Sequence, residues 1–187
     1  MTASTSTPIR PQLNHMGINV YDVAAMEAFY TGVLGLIVTD RGVGHTFKAQ
    51  LVFMSCNPKN HHQVVLASGR DPESKKSTIN QISFKLENLE QLREMYRRVR
   101  DYGVQALRPL NHGNSWSLYF FDPEGNNVEL YCDSPWYISQ PHGDLFDPEA
   151  STEQILAETE AMCKDDPNFM PIEQWRDKIR AELDERA

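Results

Sequence analysis

Three side chains that can bind a metal stand at related places in this sequence: His15, Gln81 and Glu129. They offer an imidazole nitrogen, an amide oxygen and a carboxylate oxygen, and this set would leave open positions on a divalent ion for other ligands. Glu129 interrupts the apolar run VELYC. A buried carboxylate is costly unless a cation or a hydrogen-bond donor compensates it. Glu129 therefore either contacts such a partner or points to solvent.

An internal repeat relates these residues, because the sequence matches itself at an offset near 66. When LNHMGINVYDVAAMEAFYTGVLGLIV is laid on INQISFKLENLEQLREMYRRVRDYGVQA, His15 falls on Gln81. Each copy predicts a strand, a turn and an amphipathic helix followed by a Gly. Asp22 and Asn88 stand where the helices need their N-caps.

The second halves of the copies also match. FMSCNPKNHHQVVLA lies on FFDPEGNNVELYC, with Pro58 on Pro123 and Val64 on Glu129 at an offset of 65. Each copy therefore predicts a β-α-β-β-β unit, over residues 11–68 and 79–132 approximately. We expect an α+β fold in which the two repeats pair their sheets around a shared cavity within residues 11–132, followed by a C-terminal helical tail.

Composition excludes several classes of function. The chain has 18 Lys and Arg against 26 Asp and Glu, a formal charge of −8, which gives no electrostatic support for nucleic-acid binding. No apolar run is long enough to span a bilayer, and residues 1–10 resemble a flexible terminus rather than a signal peptide. Three widely spaced Cys predict no disulfide framework. We therefore expect a cytoplasmic protein without a membrane partner.

The acidity is concentrated in residues 133–187, which hold 14 acidic and 5 basic residues. Ser151 and Gln154 form a capping box that predicts a helix ending near Cys163, and Pro171 predicts the start of another. Apolar residues then recur at helical spacing. We expect this acidic linker and tail to pack on the body or on a partner subunit.

Three strings together resemble the vicinal oxygen chelate superfamily: NHMGINVYDVAAMEAFYTGVLGL, NHHQVVLAS and NHGNSWSLYFFDPEGNNVELYCD. Over residues 11–140 they are similar in particular to small single-domain extradiol catechol dioxygenases of the dihydroxybiphenyl type. The resemblance implies Fe(II), or in some members Mn(II), held by two His and one Glu. It also implies a small aromatic diol and O2 as substrates.

The resemblance assigns roles to particular residues. His15 and Glu129 match metal ligands, and His62 matches the His that handles protons. His112 and Tyr119 match residues that line the substrate pocket and hydrogen-bond the substrate. Because His62 and Val64 would share one face of a strand, we expect His62 to face the cavity.

Gln81 departs from the family pattern, which has a second His ligand at this position. Glyoxalases of the superfamily use Gln as a ligand, so a metal-dependent isomerase or lyase is one alternative, although it needs a second carboxylate where this chain has Val64. A protein that binds an aromatic molecule or an antibiotic without metal is another alternative. Paired modules and an amphipathic tail also suggest a homo-oligomer.

Overall fold

The computed structural model of the chain describes residues 9–46, 48–74 and 77–186. Most of the flexible segment expected at residues 1–10 lies outside these ranges. Among the described residues, no helix combines the length and the apolar composition needed to cross a membrane.

The two predicted repeats are present, each with its own sheet. The first consists of β1 (Met16–Val20), α1 (Val23–Gly32), β2 (Ile37–Val43), β3 (Gln50–Ser55) and β4 (Val64–Ser68). The second consists of β5 (Ile82–Lys85), α2 (Leu89–Tyr102), β6 (Gln105–Asn111), β7 (Ser115–Phe121) and β8 (Asn127–Asp133). The strand orders are β1-β4-β3-β2 and β6-β7-β8-β5, so β1 and β5 are corresponding edge strands. The predicted α+β fold with paired β-α-β-β-β units is confirmed.

Local sequence signals fix the helix ends. The Asp22 side chain accepts a hydrogen bond from the Ala25 backbone N–H, and that of Asn88 accepts one from Gln91. These bonds satisfy N–H groups that have no partner inside the helix. Gly103 ends α2 at φ 82°, a left-handed conformation that strains any residue with a Cβ.

One apolar core joins the two repeats. The ring of Phe29 on α1 lies 6.4 Å from Phe120 on β7 and 5.9 Å from Tyr102 on α2, measured between ring centroids. Leu66 and Leu92, from different repeats, are fully buried in the same cluster. Burial of each such side chain contributes roughly 1.5–3 kcal/mol, so the helix-covered sides of both sheets stabilise a common interior.

The strand register corrects one predicted equivalence. We expected Val64 to correspond to Glu129, but β4 places Val64 opposite Met16 of β1, just as β8 places Val128 opposite Ile82 of β5. Val64 therefore corresponds to Val128, and both are buried in the core.

The counterpart of Glu129 is Val65, one residue later. The reason is the length of the turn: Met54 of β3 faces Val64 across a connection that is two residues longer than the one between Phe120 and Val128. The sequence offset consequently falls from 66 before this turn to 64 after it.

The tail contains β9 (Trp136–Tyr137), β10 (Asp144–Leu145), α3 (Thr152–Cys163), β11 (Met170–Pro171) and α4 (Ile172–Glu185). Ser151 caps α3 by accepting a hydrogen bond from the Gln154 N–H, as predicted. β10 extends the second sheet beside β6, and Thr159 of α3 hydrogen-bonds the indole of Trp116. These contacts hold the tail against the second repeat.

Candidate functional site

Glu129 lies on the face of the second sheet that is turned away from the apolar core. Register places Ser83 of β5 and Tyr119 of β7 on either side of it. The Tyr119 hydroxyl donates to Glu129 Oε1 at 2.5 Å, and the Ser83 hydroxyl donates to Oε2 at 2.5 Å. Glu129 is only 6% exposed, so neighbouring strands, rather than water, provide most of its hydrogen-bond donors.

Gln81 reaches the same carboxylate from the residue before β5. Its Nε2 donates to Glu129 Oε2 at 2.7 Å and to the Ser83 hydroxyl at 3.0 Å. All of these donors are neutral, and Glu129 forms no salt bridge with any described residue. Because hydrogen bonds from neutral groups compensate a buried negative charge only in part, the arrangement can accept a cation.

A chain of close polar contacts continues from Glu129 through Tyr119 to His112. His112 Nε2 lies 3.1 Å from the Tyr119 hydroxyl, and Nδ1 donates to the backbone carbonyl of His142. Burial and the Glu129 carboxylate raise the pKa of Tyr119 above its ordinary value. Tyr119 is therefore a neutral hydroxyl that donates a hydrogen bond rather than a proton.

A second group of side chains surrounds His15 on the first repeat. The His15 and His62 rings are 4.3 Å apart between centroids, and His62 also packs edge-on against Phe53 at 5.2 Å. His61 Nδ1 lies 3.0 Å from His62 Nδ1. Partial desolvation, followed by the neighbouring imidazoles of His15 and His61, lowers the pKa of His62, which favours a neutral ring that can accept a proton.

The prediction that His62 shares a strand face with Val64 is wrong, although His62 does contact His15. β4 begins at Val64, so His62 belongs to the preceding loop, and Val64 faces the core. A loop residue need not follow the alternation of a strand. The orientation of His62 comes from its packing on His15 and Phe53.

The described contacts form two groups rather than one. Gln81, Glu129, Tyr119 and His112 are linked by close polar contacts, whereas His15 contacts His62. Within the described part of the chain, no three His, Cys, Asp or Glu side chains are arranged to hold a metal ion. A metal bound by His15 and Glu129 would therefore need the Gln81 amide oxygen as its third protein ligand.

An apolar cavity of about 340 Å³ lies where the repeats meet. His15 lines it beside Leu36 from the first repeat, and Phe84 and Met95 line it from the second. Gln81 and Glu129 are not among the lining residues. The cavity could accommodate an apolar group next to His15.

Some site residues were not predicted from the sequence. Ser83 shares a strand face with Gln81 at a spacing of two, so strand alternation could have identified it. Gln140 and His142 contact His112 from the tail, about 30 positions away. Nothing in the local sequence predicts that approach.

Comparison with known proteins identifies a family and several relatives of this chain. The family model described as "Glyoxalase/Bleomycin resistance protein/Dioxygenase superfamily" matches residues 12–130. Biphenyl-2,3-diol 1,2-dioxygenase 3 of Rhodococcus globerulus is 28% identical over 169 residues, which cover 88% of this chain and 80% of the relative. Biphenyl-2,3-diol 1,2-dioxygenase 2 of the same organism is 27% identical and covers 80% of this chain and 84% of the relative.

Solved structures share the fold. A glyoxylase/bleomycin resistance protein/dioxygenase domain from Frankia sp. aligns with a TM-score of 0.57 and 20% identity, covering 67% of this chain and all of the other. The fosfomycin resistance protein FosX of Listeria monocytogenes aligns with a TM-score of 0.54 and 21% identity, covering 67% of this chain and 96% of the other. At this identity, the likeness concerns the fold alone.

Proposed function

Because the chain belongs to the glyoxalase/bleomycin resistance protein/dioxygenase superfamily, we propose that it is a metal-dependent extradiol-type dioxygenase that cleaves a catechol-like aromatic diol with O2. The relatives named as biphenyl-2,3-diol dioxygenases support this reaction over most of the chain's length. A substrate of this class is a flat apolar ring with two adjacent hydroxyls, and the apolar cavity beside His15 suits a ring substituent.

The observation that carries the proposal is the buried carboxylate of Glu129, which has hydrogen-bond donors but no cationic partner among the described residues. A divalent cation would supply the missing charge. Glu129, His15 and Gln81 would hold it, with Fe(II) as the proposed metal and Mn(II) as the substitute. For Gln81 to serve, its amide must turn so that Oε1 rather than Nε2 faces the ion.

A bound divalent ion would act as a Lewis acid, orienting the diol and favouring its ionisation. The chain's own residues would then manage protons and position. His62, with its lowered pKa, would accept a proton from a substrate hydroxyl. Tyr119 would accept a hydrogen bond from a diol hydroxyl through its oxygen. Its own hydrogen would turn from Glu129 to His112 Nε2, which would hold the Tyr119 hydroxyl in place from the opposite side.

Metal-free binding of an aromatic molecule is the second candidate function. The observation in its favour is that Gln81 Nε2 and the Ser83 hydroxyl already satisfy Glu129 Oε2 without an ion. The isomerase alternative lacks such an observation, since the counterpart of Glu129 is Val65 and supplies no carboxylate.

Anaerobic reconstitution with Fe(II) tests the proposal. The protein would be loaded, desalted, analysed for iron and then mixed with a panel of catechols before oxygen is admitted. We expect stoichiometric iron and a coloured ring-fission product. Bound iron without product from any catechol would reject the dioxygenase, and absence of bound metal would favour the metal-free binding protein.

Two variants separate metal binding from proton transfer. We expect Glu129→Ala to abolish iron retention, because it removes the only charged ligand, and His62→Ala to slow turnover while iron stays bound. His45→Ala is the matched control, since His45 is exposed in the connection between β2 and β3 and has no assigned role. Equal iron content in the wild-type protein and Glu129→Ala, measured by metal analysis, would exclude the proposed site.

A homo-oligomer in the cytoplasm is part of the same proposal, and it rests on the sequence arguments given above. Light scattering coupled to size-exclusion chromatography measures the assembly. A monomer at micromolar concentration would contradict the expected oligomer.

A further inference from the structure

We propose that the tail segment 140–143 is a positioning element of the site, which holds His112 as the Nδ1–H tautomer with Nε2 directed at Tyr119. The part of this inference that concerns turnover rests on the proposed function. The segment lies outside residues 12–130, where the family model matches. The inference therefore gives a role in the site to a part of the chain outside the residues that the family model matches.

The side-chain amide of Gln140 bonds two backbone groups, one in the loop that carries His112 and one in the tail segment itself. Its Nε2 donates to the carbonyl oxygen of His112 at 2.7 Å, and its Oε1 accepts from the backbone N–H of His142 at 3.1 Å. The Gln140 amide thus fixes the distance between the loop that carries His112 and the tail segment 140–143. The His142 carbonyl is held within reach of the imidazole as a result.

The His142 carbonyl determines which nitrogen of His112 carries hydrogen. A carbonyl oxygen can only accept, so the Nδ1 atom that contacts it must be protonated. In the neutral ring Nε2 then carries the lone pair, and it faces the Tyr119 hydroxyl at 3.1 Å. It can accept the Tyr119 hydrogen when that hydroxyl turns away from Glu129 Oε1. The opposite tautomer would lose the bond to His142 and would place an N–H, rather than a lone pair, against Tyr119.

Backbone packing restricts the ring as well. A Cβ built on Gly143 would lie 3.4 Å from His112 Nδ1 and 3.5 Å from Cε1, so the backbone of Gly143 runs along the edge of the imidazole. This close approach and the two bonds of Gln140 limit rotation of the ring. Neighbours of this kind orient His ligands in metal sites, where their removal typically costs metal affinity or activity by a factor of 10 to 100, and we expect an effect at the low end of this range for His112.

The test compares Gln140→Ala with Ser139→Ala. Ser139 precedes Gln140 in the chain, and its hydroxyl bonds Asp166 and Asn168, which follow α3, but it does not contact His112. Its loss therefore weakens the tail without removing a contact to His112. Long-range ¹H–¹⁵N spectra of the full-length, metal-free protein report the tautomer of His112, whose signal is identified by its loss in His112→Asn. The catechol kcat and KM of the Fe(II)-loaded proteins are measured in parallel.

We expect wild type and Ser139→Ala to show the Nδ1–H tautomer, and Gln140→Ala to show a mixture in which the two ring nitrogens have closer ¹⁵N shifts. The kcat of Gln140→Ala should fall about tenfold, with a smaller change in KM, while Ser139→Ala stays within about twofold. Gln140→Glu keeps the acceptor for His142 but cannot donate to the His112 carbonyl. Gln140→Glu should shift the tautomer of His112 in the same direction as Gln140→Ala, and it replaces that variant in the test if Gln140→Ala does not fold.

An unchanged tautomer in both Gln140 variants would overturn the proposal. Equal losses in Gln140→Ala and Ser139→Ala would also overturn it, because the tail would then act only through general stability. If the wild-type protein turns over no catechol, the proposed function fails, but the tautomer measurement still decides the role of Gln140.

Discussion

At the scale of residues, the site is organised around one buried carboxylate. Three neutral donors, Gln81, Ser83 and Tyr119, approach Glu129 from neighbouring strands. In the proposed metal-bound site, Ser83 would keep orienting the carboxylate, whereas the Gln81 amide would turn toward the ion and the Tyr119 hydroxyl toward the diol and His112. The identity of residue 81 therefore decides how strongly an ion competes with the internal hydrogen bonds.

Replacing the amide by imidazole tests this competition. We expect Gln81→His to tighten Fe(II) binding about tenfold, equal to about 1.4 kcal/mol, because imidazole is a better ligand than a carboxamide for this ion. Anaerobic competition with a coloured chelator measures the affinity. Gln105→His, on an exposed strand position of the second sheet, is the matched control, and equal affinities in the two variants would remove residue 81 from the ligand set.

The three cysteines differ in their environments. Burial, with a smaller contribution from Asp133, raises the pKa of Cys132 to about 12. Burial, assisted by Asp166, raises the pKa of Cys163 to about 11. Cys56 is exposed, so it is the thiol that reagents can reach.

A colorimetric thiol reagent at pH 8 should modify Cys56 rapidly and leave Cys132 and Cys163 intact, because thiolates are the reactive species and the two buried groups stay protonated. Addition of denaturant should release the other two thiols. Mass spectrometry of peptides identifies the labelled residue, and rapid native labelling of Cys163 would contradict the observed docking of α3.

At the scale of elements, the β7–β8 turn of the second repeat hydrogen-bonds the residues that precede α1 of the first repeat. Glu124, in the β7–β8 turn, accepts hydrogen bonds from the backbone N–H groups of Tyr21 and Asp22 at 2.7 and 2.8 Å, just before α1. Arg70 donates to the same carboxylate at 3.3 Å. The Glu124 side chain is 6% exposed, so the carboxylate itself is largely shielded from water, and its bonds join the two repeats.

Removing that carboxylate should weaken the fold. We expect Glu124→Ala to lower the free energy of unfolding by about 1–3 kcal/mol, because the N–H groups of Tyr21 and Asp22 and the Arg70 guanidinium lose a charged acceptor. Urea denaturation followed by circular dichroism measures the change. Glu27→Ala breaks a more exposed pair with Arg41 and should cost less than about 1 kcal/mol; a similar loss in both variants would show that Glu124 acts only as a surface charge.

At the scale of the whole molecule, the tail is joined to the body through a buried guanidinium. Arg93 of α2 donates to the carbonyls of Pro148 and Ala150 and to the Thr152 hydroxyl, and it is 8% exposed. The segment that follows residue 133 is thereby fixed at both its loop and its helix. Residues 140–143, which precede these contacts in the tail, lie beside His112.

Arg93→Ala should loosen the tail and, through it, the site. We expect a loss of about 2–3 kcal/mol from the charged hydrogen bonds and faster hydrogen exchange in α3, measured by mass spectrometry. Arg97→Ala, on the same helix but half exposed, is the control. Unchanged exchange in α3 after Arg93→Ala would mean that other contacts hold the tail.

The sequence by itself determined the elements and the repeat. Asp22, Asn88 and Ser151 cap their helices as predicted, since a cap depends on residues three positions apart along the chain. The correspondence of His15 with Gln81 also follows from the sequence, because β1 and β5 precede any change in loop length. Local signals of this kind do not depend on how distant segments pack.

The tertiary structure alone decided the partners. Val65 rather than Val64 corresponds to Glu129, because a longer turn shifts the register of β4 by an amount that no local pattern reveals. The donors on Glu129 come from β7, from β5 and from the residue before β5, and His112 is held by a tail segment about 30 positions away. Contacts between distant residues depend on the packing of whole elements, so only the folded chain determines them.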